Sequence, residues 1–76
     1  MKLPLVSGRK VIKALTKVGF QIVGRKGSHV RLKKKDGKTL ITVVPDHKEL
    51  EKGTLKAILR QANISVEEFL KLLERR

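Results

Sequence analysis

His29-Val30-Arg31-Leu32-Lys33-Lys34-Lys35-Asp36-Gly37-Lys38-Thr39-Leu40-Ile41-Thr42-Val43-Val44-Pro45 is the stretch that decides the fold. Residues 29–33 alternate apolar with polar, the period of a strand with one buried face. Residues 39–44 are rich in β-branched side chains and stop at a proline, which cannot donate to a strand ladder. Asp36-Gly37 between them is a hairpin signal, because tight turns need backbone angles that glycine adopts without steric cost. With Asp36-Gly37 as a two-residue loop, Lys35 faces Lys38, Leu32 faces Ile41, Val30 faces Val43 and His29 faces Val44. This register puts apolar pairs on one face and His29, Arg31 and Lys33 on the other. A slip of one residue would move a whole strand's side chains to the opposite face.

Outward from the hairpin, Phe20-Gln21-Ile22-Val23 reads as a first strand and Gly24 to Ser28 as a polar turn. Ser7 can cap a first helix that ends at Gly19. Val11, Ile12, Leu15 and Val18 lie on one face of that helix, and Arg9, Lys10, Lys13 and Lys17 on the opposite one. After Pro45 and the polar Asp46-His47-Lys48-Glu49, a helix is expected from about Lys52 to Ala62. Leu55, Ile58, Leu59 and Ala62 form its apolar stripe, and Asn63 is its C-cap. Ser65-Val66-Glu67-Glu68 is a capping box, with Ile64 and Phe69 as a hydrophobic staple, opening a short last helix. The predicted class is α+β in the order α-β-β-β-α plus a C-terminal helix, with a three-stranded antiparallel sheet covered by helices on one face. Residues 1–76 are expected to form one domain.

Lysine and arginine number 19 against 7 acidic residues, a formal net charge of +12. Residues 1–48 hold 13 basic and 2 acidic side chains; residues 49–76 hold 6 and 5. The positive field belongs to the N-terminal two-thirds and implies a polyanionic partner, most often nucleic acid. A membrane partner is not expected, because the two Phe residues are far apart and no Trp or Tyr supplies an interfacial wedge. The same lack argues against recognition by aromatic base-stacking platforms. The absence of cysteine excludes disulfides, thiolate metal sites and a cysteine nucleophile. Two histidines and seven acids argue against a dedicated metal site, and no cofactor is expected. No apolar run approaches the ~18 residues of a membrane span. Met1 to Val6 is too short for a signal peptide, so a cytoplasmic protein is expected.

Gly27-Ser28-His29 places one of two histidines at a loop-to-strand junction inside the most basic stretch. Histidine is the side chain that titrates near neutral pH, with an unperturbed pKa of about 6.5. A plain polyanion-binding surface needs only the cations. A histidine among them raises phosphate chemistry as one reading; a surface strand residue and a phosphate contact without catalysis are the others.

Taken in order, these segments resemble the HicA-type (YcfA-like) mRNA interferase toxins of bacterial and archaeal toxin–antitoxin systems. The resemblance rests on the opening helix ending at Gly19-Phe20, on Gly27-Ser28-His29, on Pro45-Asp46-His47, on Gly53-Thr54-Leu55 with Ile58-Leu59, and on Ile64 to Leu70. It implies a fold similar to a double-stranded-RNA-binding domain, ribosome-independent endoribonuclease cleavage of mRNA, and neutralisation by a HicB-type antitoxin. It also implies that His29 is the catalytic histidine.

RNA carries its own nucleophile, the 2′-hydroxyl, so its cleavage needs no metal. A neutral imidazole at His29 can take that proton as general base. Arg25, Lys26, Gly27, Arg31, Lys33, Lys52 and Lys56 are the expected RNA-binding residues, the glycine by allowing close backbone approach. Ser28 can bond a phosphate oxygen or orient His29. His47 lies at the same end of the sheet as His29, either as an acid or as a loop residue positioning the chain, and Asp46 either orients an imidazole or serves the turn. A non-catalytic double-stranded-RNA-binding module of the same shape is the alternative function. A DNA-binding regulator is disfavoured by the hairpin between the helices.

Overall fold

A computed structural model describes residues 3–74. Met1 and Lys2, with which the stretch expected not to be a signal peptide begins, lie outside the described residues. The elements are α1 (Gly8–Lys17), β1 (Gln21–Lys26), β2 (His29–Asp36), β3 (Lys38–Pro45), α2 (Lys52–Gln61) and α3 (Val66–Glu74). The strands form an antiparallel sheet in the order β1-β2-β3. α1 and α2 pack against β3, and α3 packs on both of them. This is the expected α+β architecture, consistent with the double-stranded-RNA-binding-domain-like fold.

The local signals explain where the helices start and stop. The Ser7 hydroxyl accepts from the Lys10 amide at 3.2 Å, meeting one of the unpaired donors at the start of α1. Gly19, at φ +100°, turns the chain out of α1, and the Phe20 amide closes back on the Leu15 carbonyl at 3.1 Å. Asn63 does the same after α2 at φ +57°, with Ile64 bonded back to Leu59 at 3.0 Å. The Ser65 hydroxyl accepts from the Glu68 amide at 3.0 Å, and the staple residues Ile64 and Phe69 are both buried. Val11, Leu15, Leu55, Ile58, Leu59 and Phe69 meet Val30, Leu32 and Val44 of the sheet in one core. Leu3 and Val6 join that core although they belong to no periodic element, and Leu50 is bonded back to Val6 at 2.9 Å.

The hairpin register differs from the expected one by a residue. Asp36 pairs with Lys38 across Gly37 alone, at φ +71°, so Leu32 faces Thr42, Val30 faces Val44, Arg31 faces Val43 and His29 faces Pro45. Leu40, Thr42 and Val44 therefore point inward, and Ile41 and Val43 are exposed. Burying Thr42 costs little because its hydroxyl donates to Gln61 Oε1 at 2.9 Å. The expected outward face of β2 is unchanged, because the slip moved β3 and not β2.

β1 is also longer than expected. It runs through Gly24 to Lys26, and the turn shrinks to Gly27-Ser28. Gly24 does not end the strand: the register shifts between Ile22 and Gly24, a bulge that leaves Val23 unpaired.

Candidate nucleic-acid interface

The turn between β1 and β2 has Lys26 opposite His29, so Gly27-Ser28 is a two-residue loop. Gly27 has φ +60°, the sign a II′ hairpin turn requires at its first central residue. A Cβ at Gly27 would meet no atom within 4 Å, so the backbone angle and not crowding demands glycine here.

His29 opens β2 and is exposed on the face away from the helices. Lys26 lies across from it on β1 and Pro45 on β3. A depression of about 530 Å³ joins His29 to Gly24, Arg25, Lys26, Arg31 and Val43. Lys33 continues the same face, opposite Gln21 and Ile41. Among the described residues, none hydrogen-bonds the His29 ring. The face combines cations with exposed apolar side chains: Ile41 is 52% exposed and Val43 38%. Sequence reasoning missed these two because the slipped register had buried them.

On the other side of the turn, the loop after β3 is tied to the hairpin. The Asp46 amide donates to the Ser28 carbonyl at 2.6 Å. Ser28 Oγ and His47 Nε2 are 3.4 Å apart, a long hydrogen bond. The His47 carbonyl accepts from the Gly8 amide at 2.8 Å, fixing the loop to the start of α1. The Asp46 carboxylate accepts from Arg25 Nη2 and lies 3.6 Å from Arg9 Nε. Arg25 Nε also donates to the Gly27 carbonyl at 3.3 Å. Asp46 thus engages two arginines and neither imidazole, and Arg25, an expected RNA contact, is ion-paired. Arg9 enters this cluster only through the tertiary fold.

The structure thus gathers Arg25, Lys26, Gly27, Ser28, His29 and Arg31 at one end of the sheet, with His47 reaching them through Ser28. It does not bring Lys52 and Lys56 there; both are exposed on α2, which packs against β3. Among the described residues, no three His, Cys, Asp or Glu side chains group as metal ligands, and no helix is long and apolar enough to cross a membrane. What the surface offers chemically is cations able to hold phosphate oxygens around a solvent-facing imidazole.

A family model described as the HicA toxin of bacterial toxin–antitoxin matches residues 8–64, from the first residue of α1 to just beyond α2. No curated protein matches the chain.

Proposed function

The chain belongs to the HicA toxin family, and we propose from this that it is an endoribonuclease that cleaves mRNA with His29 as general base. Membership makes it the toxin of a toxin–antitoxin pair with a cognate antitoxin. The observation that carries the enzymatic reading is the position of His29. It is exposed at the head of β2, between Lys26 and Pro45 in the sheet, in a depression shared with Arg31.

In this reading a phosphodiester lies over the depression, held by Lys26 and Arg31. The neutral His29 imidazole removes the proton of the adjacent 2′-hydroxyl. The 2′-oxygen attacks phosphorus, the bond to the 5′-oxygen breaks, and that oxygen takes up a proton as it leaves. The products of this step are a 2′,3′-cyclic phosphate and a 5′-hydroxyl. Lys26, Arg31 and Lys33 stabilise the charge on the phosphorane oxygens, and no metal is needed. Ser28 and His47 act as auxiliaries, His47 by holding the Ser28 side chain. The protein works in the cytoplasm, where its mRNA substrate is. A HicB-type antitoxin neutralises it by covering this face. Ile41 and Val43 beside Arg31 and Lys33 suit a partner with apolar and acidic side chains.

The test is His29→Ala. Because His29 is exposed, the variant should fold and bind RNA as the wild type does, while cleavage falls by roughly 10²–10⁴-fold. Cleavage that survives in a nuclease-free preparation would take His29 out of the mechanism. Wild-type protein that binds RNA but never cuts it would make this a non-catalytic double-stranded-RNA-binding module.

A further inference from the structure

The bulge in β1 has a consequence on the helix side of the sheet. Ile22 and Arg25 are three residues apart, a spacing that puts two side chains on opposite faces of a regular strand. With the register shift between Ile22 and Gly24, Ile22 pairs with Leu32 and Arg25 with Val30, both inward residues. The bulge thus turns both side chains toward the helix side. The helices pack against β3 and leave this part of β1 uncovered, so Ile22 stays 56% exposed despite facing inward. The result is a cleft of about 420 Å³ between α1 and β1. Its floor is Ile12, Ile22 and Val30; Arg9, Lys13 and Arg25 stand around it, with Asp46 as the one acid.

We infer that this cleft is a nucleotide subsite, taking the base and phosphate of one residue of the RNA flanking the cut. The inference rests on the endoribonuclease reading. Three features support a nucleotide as the occupant. The volume lies within the roughly 300–1,000 Å³ of small-molecule sites. The apolar floor and the planar guanidinium groups of Arg9 and Arg25 offer faces to a base in a chain that lacks Trp and Tyr. Three cations against one carboxylate leave the cleft positive for a phosphate, and Lys13 has no carboxylate partner among the described residues. Arg25 also lines the His29 depression. An RNA strand rounding the edge of β1 can therefore present a phosphate to His29 and a neighbouring base to the cleft. This subsite would give the enzyme a nucleotide preference next to the cut.

The experiment is a titration of isotope-labelled wild-type protein with each of the four nucleoside 5′-monophosphates and with inorganic phosphate, followed at the backbone amides by NMR. The monophosphates should shift Lys13, Ile22 and Arg25 saturably and bind at least about tenfold more tightly than inorganic phosphate. Ile22→Glu, at an exposed position, should weaken nucleotide binding by about tenfold by placing a carboxylate beside the phosphate, and should change the nucleotides found at cut sites. Equal binding of phosphate and nucleotides would overturn the inference. So would shifts confined to His29, Arg31 and Lys33, or cleft amides that respond to the antitoxin protein alone. If Ile22→Glu does not fold, the wild-type titration decides. Nucleotide binding in the cleft by a protein that cuts no RNA would leave the subsite standing and remove the enzyme. His29-dependent cleavage with an empty cleft would do the reverse.

Discussion

Arg25 of β1 donates to the carboxylate of Asp46, which follows β3, and so closes the end of the sheet around the Gly27-Ser28 turn. Asp46 is the one carboxylate in the cleft and its side chain is only 17% exposed, while Arg25 is 55% exposed. Asp46→Asn keeps the shape and removes the charge. The exposed arginines limit the cost to about 1 kcal/mol or less, readable by urea unfolding. RNA affinity should rise, because Arg25 is released to phosphate. The plot of log affinity against log salt should steepen by the equivalent of about one phosphate contact. Affinity that falls instead would mean that Asp46 holds Arg25 in its RNA-binding position rather than competing for it.

The start of α1 touches the same loop through Gly8. Its amide bonds the His47 carbonyl, and a Cβ at this buried position would overlap the Pro45 carbonyl oxygen. Backbone cannot swing aside as a side chain can. Gly8→Ala should therefore cost about 1–3 kcal/mol in a denaturant melt, the range of an overpacked core. It should also displace the amide resonances of Asp46 and His47. An unperturbed melt would show that α1 moves freely relative to β3.

The helices were legible in the chain because their ends are decided locally. Ser7, Gly19, Asn63 and Ser65 each act on backbone groups within five residues. The hairpin register was not. Leu40-Ile41-Thr42-Val43-Val44 has β-favouring side chains on both faces, so either register buries apolar groups. The choice fell to Gln61, far along the chain, which accepts the Thr42 hydroxyl and lets that face turn inward. β1 outruns its sequence signal for a related reason: Gly24 reads as a turn when its role is a bulge. His29 and its cationic neighbours on β2 were legible because their face depends on β2 alone. The Arg9–Asp46–Arg25 cluster was not, since its members come from three separate segments.

The two sides of the Thr42–Gln61 bond should respond differently. Thr42 is 1% exposed, whereas Gln61 is exposed. Thr42→Val keeps the volume and leaves the Gln61 amide free to bond water, so its stability should stay within about 1 kcal/mol of wild type. Gln61→Ala leaves a buried hydroxyl without this partner and should cost about 1–3 kcal/mol. Thermal or urea unfolding of both variants checks the order. Equal losses would show that the hydrogen bond does not decide which face of β3 turns inward.

Gly27 separates a conformational requirement from a steric one. A methyl group there meets no protein atom within 4 Å, so the stability cost of Gly27→Ala is that of φ +60° alone, about 1–2 kcal/mol. The same open space lies beside Ser28 and His29, where the proposed mechanism brings a phosphodiester against the turn. A side chain would occupy room that RNA needs. Gly27→Asn tolerates the left-handed angle better than alanine and should recover part of the stability. It should nevertheless bind RNA more weakly than Gly27→Ala, because its side chain is larger. Stability and RNA affinity measured on both variants should thus rank them in opposite orders. If affinity instead follows stability, Gly27 serves the turn alone and the RNA does not approach the hairpin from this side.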